Sequence, residues 1–433
     1  MADILPIRPW RYNIKLSASI DSLTSPLRDD VSNKQRSALY QRPFNSIHLS
    51  APQRPNAAER AVQLLQEWKR DGVLIQDEIP AIYVYYQYFS VAGSPKEYCR
   101  KGFICHIRAY DWNENIMLGH QNTIPSEVNE RADLLEKTEL HTTPTHGLYT
   151  DPDFQLEPYM DEAITDPIYE TEDYQGVRDV LAVIHDAVLI KKFIRLLEDK
   201  PVILADGHHR YESSLVHKKK QKSIHPGHIN KAGYNFHLMY LTNIEASDYK
   251  IFPTHRLINN LPGFNEAKIL EKLEEDFIVT LVDDMHRLPD IIAGKTWAFG
   301  IMFRGKAFKV QLKPESFPSL KWPFPEEVKK LDLTVMNYFI IEKILGIHGK
   351  EQGKSDHVYF DSSFSDCIKK VIQGEVQMAI ITNAVTLEDV KRFCQSGYTM
   401  PQKSTYFYPK VISGFLFTSI NEPEFAFPFY APF

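Results

Sequence analysis

Apolar residues recur at helical spacing after Asn56, where Ala61, Leu64, Leu65 and Trp68 share one face until Asp71-Gly72 stops the run. Asn56 followed by Glu59 three residues on reads as a capping box for that helix. Two β-rich runs come next, at residues 81–89 and 102–110, separated by a Gly/Ser/Pro turn region; this is the pattern of an antiparallel pair. Residues 126–140 predict a polar helix capped by Ser126. Residues 181–197 predict an apolar helix that ends near Asp199-Lys200-Pro201. Further strand-like runs lie at 235–242, 277–282, 296–303 and 306–312, and helical patterns at 266–275, 326–346, 365–373 and 386–396. Residues 1–55 alternate short apolar pieces with Pro and polar clusters and read as strands and loops. Strands and helices do not alternate as they do in a doubly wound parallel sheet, so the predicted class is α+β with mixed sheets.

At 433 residues the chain is long enough for two or three domains with sizeable cores. Hydrophobic residues at 43% exclude wholesale disorder. Fifty Lys and Arg against 56 Asp and Glu give a net charge of −6, so neither nucleic acid nor a membrane surface is an expected partner. The four cysteines, Cys99, Cys105, Cys367 and Cys394, form no C-x-x-C pair, which points away from a disulfide framework or a zinc site and toward reduced thiols. No apolar stretch reaches about 20 residues and the N-terminus lacks a signal-peptide core, so a cytoplasmic location is expected. The basic stretch Lys218 to Lys222 marks the expected boundary between lobes 1–230 and 231–433.

The sharpest local feature is residues 201–212, PVILADGHHRYE. Four apolar residues read as a buried strand, Asp206 ends it, Gly207 makes a turn, and a helix can begin at His209. A strand, tight turn and helix start gathers backbone N–H groups and the positive end of a helix dipole, which together favour anions. Two histidines and an arginine add donors suited to phosphate or carboxylate, and Asp206 could hold Mg²⁺ or orient a hydroxyl. The competing reading is a capped helix whose polar side chains satisfy one another.

Other clusters are less specific. Gly119-His120-Gln121-Asn122-Thr123 leads to Glu127, Glu130 and Arg131, which share a helix face and read equally as a surface ion-pair face. Pro253-Thr254-His255-Arg256 follows a β-rich run. Met400-Pro401-Gln402-Lys403-Ser404-Thr405 sets a Lys and two hydroxyls in a loop able to grip an anion, or in an ordinary exposed turn. Residues 349–355 end like a phosphate loop, but His348 stands where the pattern needs Gly. His225 and His228 lack companion ligands for zinc, and no G-x-S-x-G elbow occurs.

Taken in order, Arg8-Pro9-Trp10-Arg11-Tyr12, Asp206-Gly207-His208-His209-Arg210-Tyr211-Glu212, Pro253-Thr254-His255-Arg256 and Met400 to Thr405 with Gly414 resemble the domain of unknown function 1015 family nearly end to end. That family is similar to free-serine kinases of the ParB/sulfiredoxin-like fold. The resemblance implies a ParB/sulfiredoxin-like N-terminal lobe and a mixed-sheet C-terminal lobe that supplies the Lys-Ser-Thr loop. It implies that Gly207, His208, His209 and Arg210, with His120 and Arg131, hold the phosphates of ATP or ADP. Asp206 would sit near Mg²⁺ or the acceptor hydroxyl, and His255, Arg256, Lys403, Ser404 and Thr405 on the substrate side. The reaction implied is phosphoryl transfer to free L-serine, giving O-phosphoserine; a homodimer is an expectation outside the resemblance.

One departure bears on catalysis. The relatives' early motif is His followed by a Glu that is the proposed base, whereas this chain has His120-Gln121. An amide cannot accept the proton, so a neighbouring carboxylate such as Glu127 or Glu130 substitutes, with Asp206 and His209 the other catalytic residues the resemblance implies, or the chain is a nucleotide- or amino-acid-binding regulator without turnover. Relatives also often carry a lysine where Val128 stands; Glu130-Arg131 keeps the rest.

Overall fold

The computed structural model describes residues 2–91, 93–227, 232–348, 352, 355–397, 400 and 403–425. The chain forms two compact units. The larger comprises residues 1–119, 125–249 and 409–433; the smaller comprises 120–124 and 250–408. Both mix helices and sheets, as the α+β reading expects. The division departs from a boundary at residue 230. The basic stretch Lys218 to Lys222 lies inside the helix His208–Ile224 rather than in a linker: Lys219, Lys220 and Lys222 are exposed, while Lys218 is buried with its Nζ donating to Ala109 O.

The larger unit is built on a nine-stranded sheet. Its path runs Met117–Gly119, Val202–Asp206, Thr145–Tyr149, Phe236–Asn243, Glu97–Arg108, Ile82–Ser90, Arg178–Ile184 and Tyr169–Glu172, with Ile4–Leu5 paired to Glu97–Arg108. The expected antiparallel pair forms in register, with Tyr83 opposite Ile104 and Tyr85 opposite Gly102. Two pairs are parallel, Val202–Asp206 with Met117–Gly119 and Phe236–Asn243 with Thr145–Tyr149. Both faces of this sheet are covered. Ile82, Val84 and Tyr86 enter one apolar core while Tyr83 and Tyr85 enter the other, and Met239 and Leu241 alternate likewise with Leu238 and Tyr240. Burial on both faces explains why these strands read as unbroken apolar runs. The segment that returns after residue 408 places Val411, Phe415 and Phe417 in the second core, and Phe417 O accepts from Trp10 N at 2.7 Å.

The smaller unit holds a six-stranded sheet in the order Phe277–Val282, Lys306–Leu312, Ala298–Phe303, Met378–Ile381, His255–Ile258, Val358–Asp361. The expected strands at 277–282 and 306–312 and helices at 266–275, 365–373 and 386–396 all form, within a residue or two.

Several local expectations are corrected. Residues 1–55 form the expected short strands at Ile4–Leu5 and Trp10–Tyr12, but also carry helices at Ile20–Leu23, Asn33–Tyr40 and Ile47–Ser50, the second closed by a Ser32/Gln35 capping box. The helix Ala57–Arg70 forms, but Asn56 sits in the left-handed region with no side-chain cap. Pro125, whose fixed φ suits a first helical position, starts the helix Pro125–Thr138, so Ser126 lies inside it. The 181–197 run splits into the strand Arg178–Ile184 and the helix Ala187–Leu197. Its Val- and Ile-rich start suits a buried strand, and Asp186 caps the helix. The 326–346 pattern breaks into Glu326–Lys329, Asp332–Val335 and a π-helical stretch Met336–Ile344.

Candidate functional site

The turn between Val202–Asp206 and His208–Ile224 forms as expected, and it depends on one glycine. Gly207 has φ +91°, and a Cβ there would lie 2.6 Å from Thr145 Cγ2. Both the backbone conformation and the space exclude a side chain. The helix then starts directly at His208, directing its amide end toward the turn.

Asp206 is held between two cations. Lys410 Nζ donates to Oδ1 at 2.5 Å and Arg210 Nη2 to Oδ2 at 2.9 Å. Burial would push this carboxyl up, but the charges of Lys410 and Arg210 outweigh it and hold the group well below the usual carboxylate range. Arg210 also donates through Nη1 to Pro144 O at 2.7 Å, so it ties the turn to the neighbouring strand. One carboxylate against Lys410 and Arg210 leaves the cluster with net positive charge. Each Asp206 oxygen already faces a cation, an arrangement that suits an incoming anion better than a divalent metal. Among the described residues no three His, Cys, Asp or Glu side chains are placed to hold a metal ion.

His146 lies opposite Asp206 across the antiparallel pair, and its Nε2 is 2.8 Å from Thr242 Oγ1. Burial first, then the charge of Arg100, keeps it neutral. Arg100 is 3% exposed, donates to Gln87 Oε1 and Pro409 O, and lies 5.6 Å from the Tyr240 ring centre. The backbone around Pro409 and Lys410 is thereby fixed from beneath while Lys410 reaches Asp206.

The helices Pro125–Thr138 and His208–Ile224 pack together, which brings His209 Nε2 to 3.7 Å from Glu127 Oε2. His208 is buried and Arg131 half-buried. Glu130 faces elsewhere: its oxygens meet Arg28 at 3.4 Å and Arg54 at 2.5 Å, all largely exposed, which is the surface ion-pair outcome.

The remaining motif residues belong to the smaller unit. His120 Nε2 lies 2.9 Å from Thr405 Oγ1, and Gln121 Nε2 donates to the same oxygen at 2.6 Å. Met400 N donates to His120 O at 2.7 Å, so the early and late motifs are joined by backbone as well. His120, Ser404 and Thr405 are buried. Arg256 is 1% exposed, donates to Thr254 O and stacks 4.7 Å from the Phe360 ring centre, with Lys403 Nζ 5.8 Å from the same ring. Burial lowers the Arg256 guanidinium to about 9. His255 lies beside it on the strand His255–Ile258, and its Nδ1 accepts from Thr382 N at 3.2 Å. Burial, helped by Arg256, lowers its imidazole to about 4.

Sequence reading missed Lys410, Arg100 and Gln87. Lys410 follows a Pro in the C-terminal segment with no local pattern to mark it, and only the fold brings it to Asp206. Pro401, Gln402 and His228, with most of residues 349–355, lie outside the described residues.

A family model described as "Protein of unknown function (DUF1015)" matches residues 4–334. No curated protein matches the sequence. Among solved structures, a conserved hypothetical protein from Pyrococcus furiosus is 12% identical with a TM-score of 0.38, over 74% of this chain and 96% of its own. A point mutant of a free serine kinase in complex with AMP is 13% identical, TM-score 0.38, over 74% and 93% of the two chains. A mutant of a free serine kinase in complex with ADP gives the same four values.

Proposed function

The chain belongs to the DUF1015 family, and from that premise we propose that it is a nucleotide-dependent phosphotransferase acting on a small hydroxyl compound, with free L-serine as acceptor and O-phosphoserine as product. The observation that carries the reading is the Asp206 carboxylate clamped between Lys410 and Arg210 at the start of the helix His208–Ile224. A net positive cluster at a helix N-terminus is suited to the phosphates of ATP or ADP. In this reading the larger unit is the ParB/sulfiredoxin-like nucleotide lobe. Lys410 contacts phosphate, and Arg210 holds the turn. Mg²⁺ enters on the nucleotide's phosphates rather than on Asp206.

Gln121 cannot take a proton, and Glu130 is engaged by two arginines. His209, oriented by Glu127, is therefore the group assigned to accept the hydroxyl proton. His120, Gln121 and Thr405 form a hydroxyl-centred trio, and Arg256 with Lys403 supplies positive charge suited to an amino-acid carboxylate.

The test is mass analysis of products from the full chain with Mg²⁺, ATP or ADP and L-serine, alongside thermal shift with each nucleotide. O-phosphoserine that disappears in Lys410→Ala is the expected outcome. A melting curve that no nucleotide moves overturns the reading.

A further inference from the structure

A groove of about 430 Å³ opens in the larger unit between the N-terminal helices, the strand Tyr169–Glu172 with its turn, and Asp179. None of the residues of the Asp206 turn lines it. Four carboxylates do, Asp21, Glu172, Asp173 and Asp179, against the single guanidinium of Arg42. No ion pair joins any of the four to a described residue.

Asp179 is the anomalous member. Its side chain is 0% exposed, and its Oδ1 accepts from Tyr85 Oη at 2.5 Å and from Gln87 Nε2 at 2.8 Å. Its Oδ2 is buried with no hydrogen-bond partner. A buried carboxylate oxygen without a donor is costly, and the cost is removed when a cation reaches it. Arg100 does not do so, because Gln87 bridges between the two groups. A metal does not match, since the described residues contain no cluster able to hold one. Between the carboxylates the wall is apolar, with Pro26, Leu39 and Ile412.

We propose that this groove binds a linear polyamine, with one ammonium group on the groove wall over the buried Asp179 carboxylate, methylene segments against Pro26, Leu39 and Ile412, and further ammonium groups at Asp21, Glu172 and Asp173. Carboxylates set apart by apolar wall match cations set apart by methylenes, and no mono-anionic or neutral ligand uses all four. Burial pushes the Asp179 carboxyl up to about 7, against the donors Tyr85 and Gln87 and with Asp173 adding to the rise and Arg100 opposing it. Binding a cation therefore displaces a proton near neutrality. The site is independent of the phosphoryl-transfer reading and is tested without nucleotide.

Isothermal titration of the full chain with spermidine is the experiment. Saturable binding with a stoichiometry of one is expected, tighter at pH 8 than at pH 6 and accompanied by proton release. Asp179→Asn keeps the shape and an acceptor for Tyr85 and should weaken binding at least tenfold. Leu39→Trp, which fills the groove from its wall, should do the same and carries the test if the Asn variant does not fold. n-Butylamine, with one ammonium, should bind at least tenfold more weakly than spermidine. Absent binding, unchanged binding in the two folded variants, or equal affinity for butylamine overturns the proposal.

Discussion

Lys410 places its ammonium 2.5 Å from Asp206 Oδ1, on a carboxylate whose other oxygen is held by Arg210. Both groups of the Lys410 pair are mostly buried, at 14% and 21% side-chain exposure, so the pair is shielded from water. Lys410→Met should destabilise the fold by about 1–3 kcal/mol at pH 7 by removing one partner of a shielded pair. The Asp206 carboxyl titrates lower in the folded than in the unfolded chain, so its contribution is present above about pH 4 and fades as pH falls below that value. Denaturant unfolding at pH 7 and pH 3 should show the gap between wild type and variant shrinking at the lower pH.

Asp179 should give the opposite slope. Its folded-state carboxyl is raised to about 7, so the native state holds the proton more tightly than the unfolded chain does. Stability from this group is full below about pH 4 and is lost as pH rises through about 7, by roughly 2–4 kcal/mol. Asp179→Asn removes that slope. Its stability relative to wild type should climb between pH 5 and pH 8 in denaturant titrations without added amine, and a flat difference would count against the buried, unneutralised carboxyl.

Gly207→Ala should cost about 2–4 kcal/mol, combining a positive φ with a clash at Thr145 Cγ2. Thr145→Ser keeps the hydroxyl that meets His237 Nε2 at 3.0 Å and removes the clashing methyl. The double variant should recover the steric part of the loss and not the backbone part, a non-additivity readable from midpoints of urea unfolding.

Gln121→Glu should reverse a hydrogen bond. Gln121 now donates to Thr405 Oγ1; a carboxylate there would accept from it instead, and would supply the base that the amide lacks. If phosphoryl transfer is the activity and His209 takes the proton, turnover to O-phosphoserine should stay unchanged; a rise of about 10²-fold would move the base to position 121. Turnover unchanged by Gln121→Glu and abolished by His209→Ala would place the proton acceptor at His209.

The local part of the candidate site was readable because it is local. Val202 to Glu212 carries a buried-strand run, an obligatory glycine and a helix start in consecutive residues. What the sequence hid is held at long range. Lys410 meets Asp206 only through the sheet and the returning C-terminal segment, and Asp179 reads as an ordinary strand residue until Tyr85 and Gln87 surround it. The N-terminal helices were missed for a related reason: at four to eight residues they are too short for periodicity to show. The Glu127/Glu130 face was ambiguous because helical spacing makes the two equivalent, whereas packing gives one to His209 and the other to arginines.

The chain passes between its two units at four places, after residues 119, 124, 249 and 408. Neither unit is a contiguous stretch, so no single cut of the gene releases one intact. A fragment starting at Lys250 would lack the segment that brings His120 and Gln121 to Thr405, and one ending at Tyr249 would lose Lys410. Tandem fusion or shuffling at one junction cannot transplant either half of this chemistry. The two units must be inherited together.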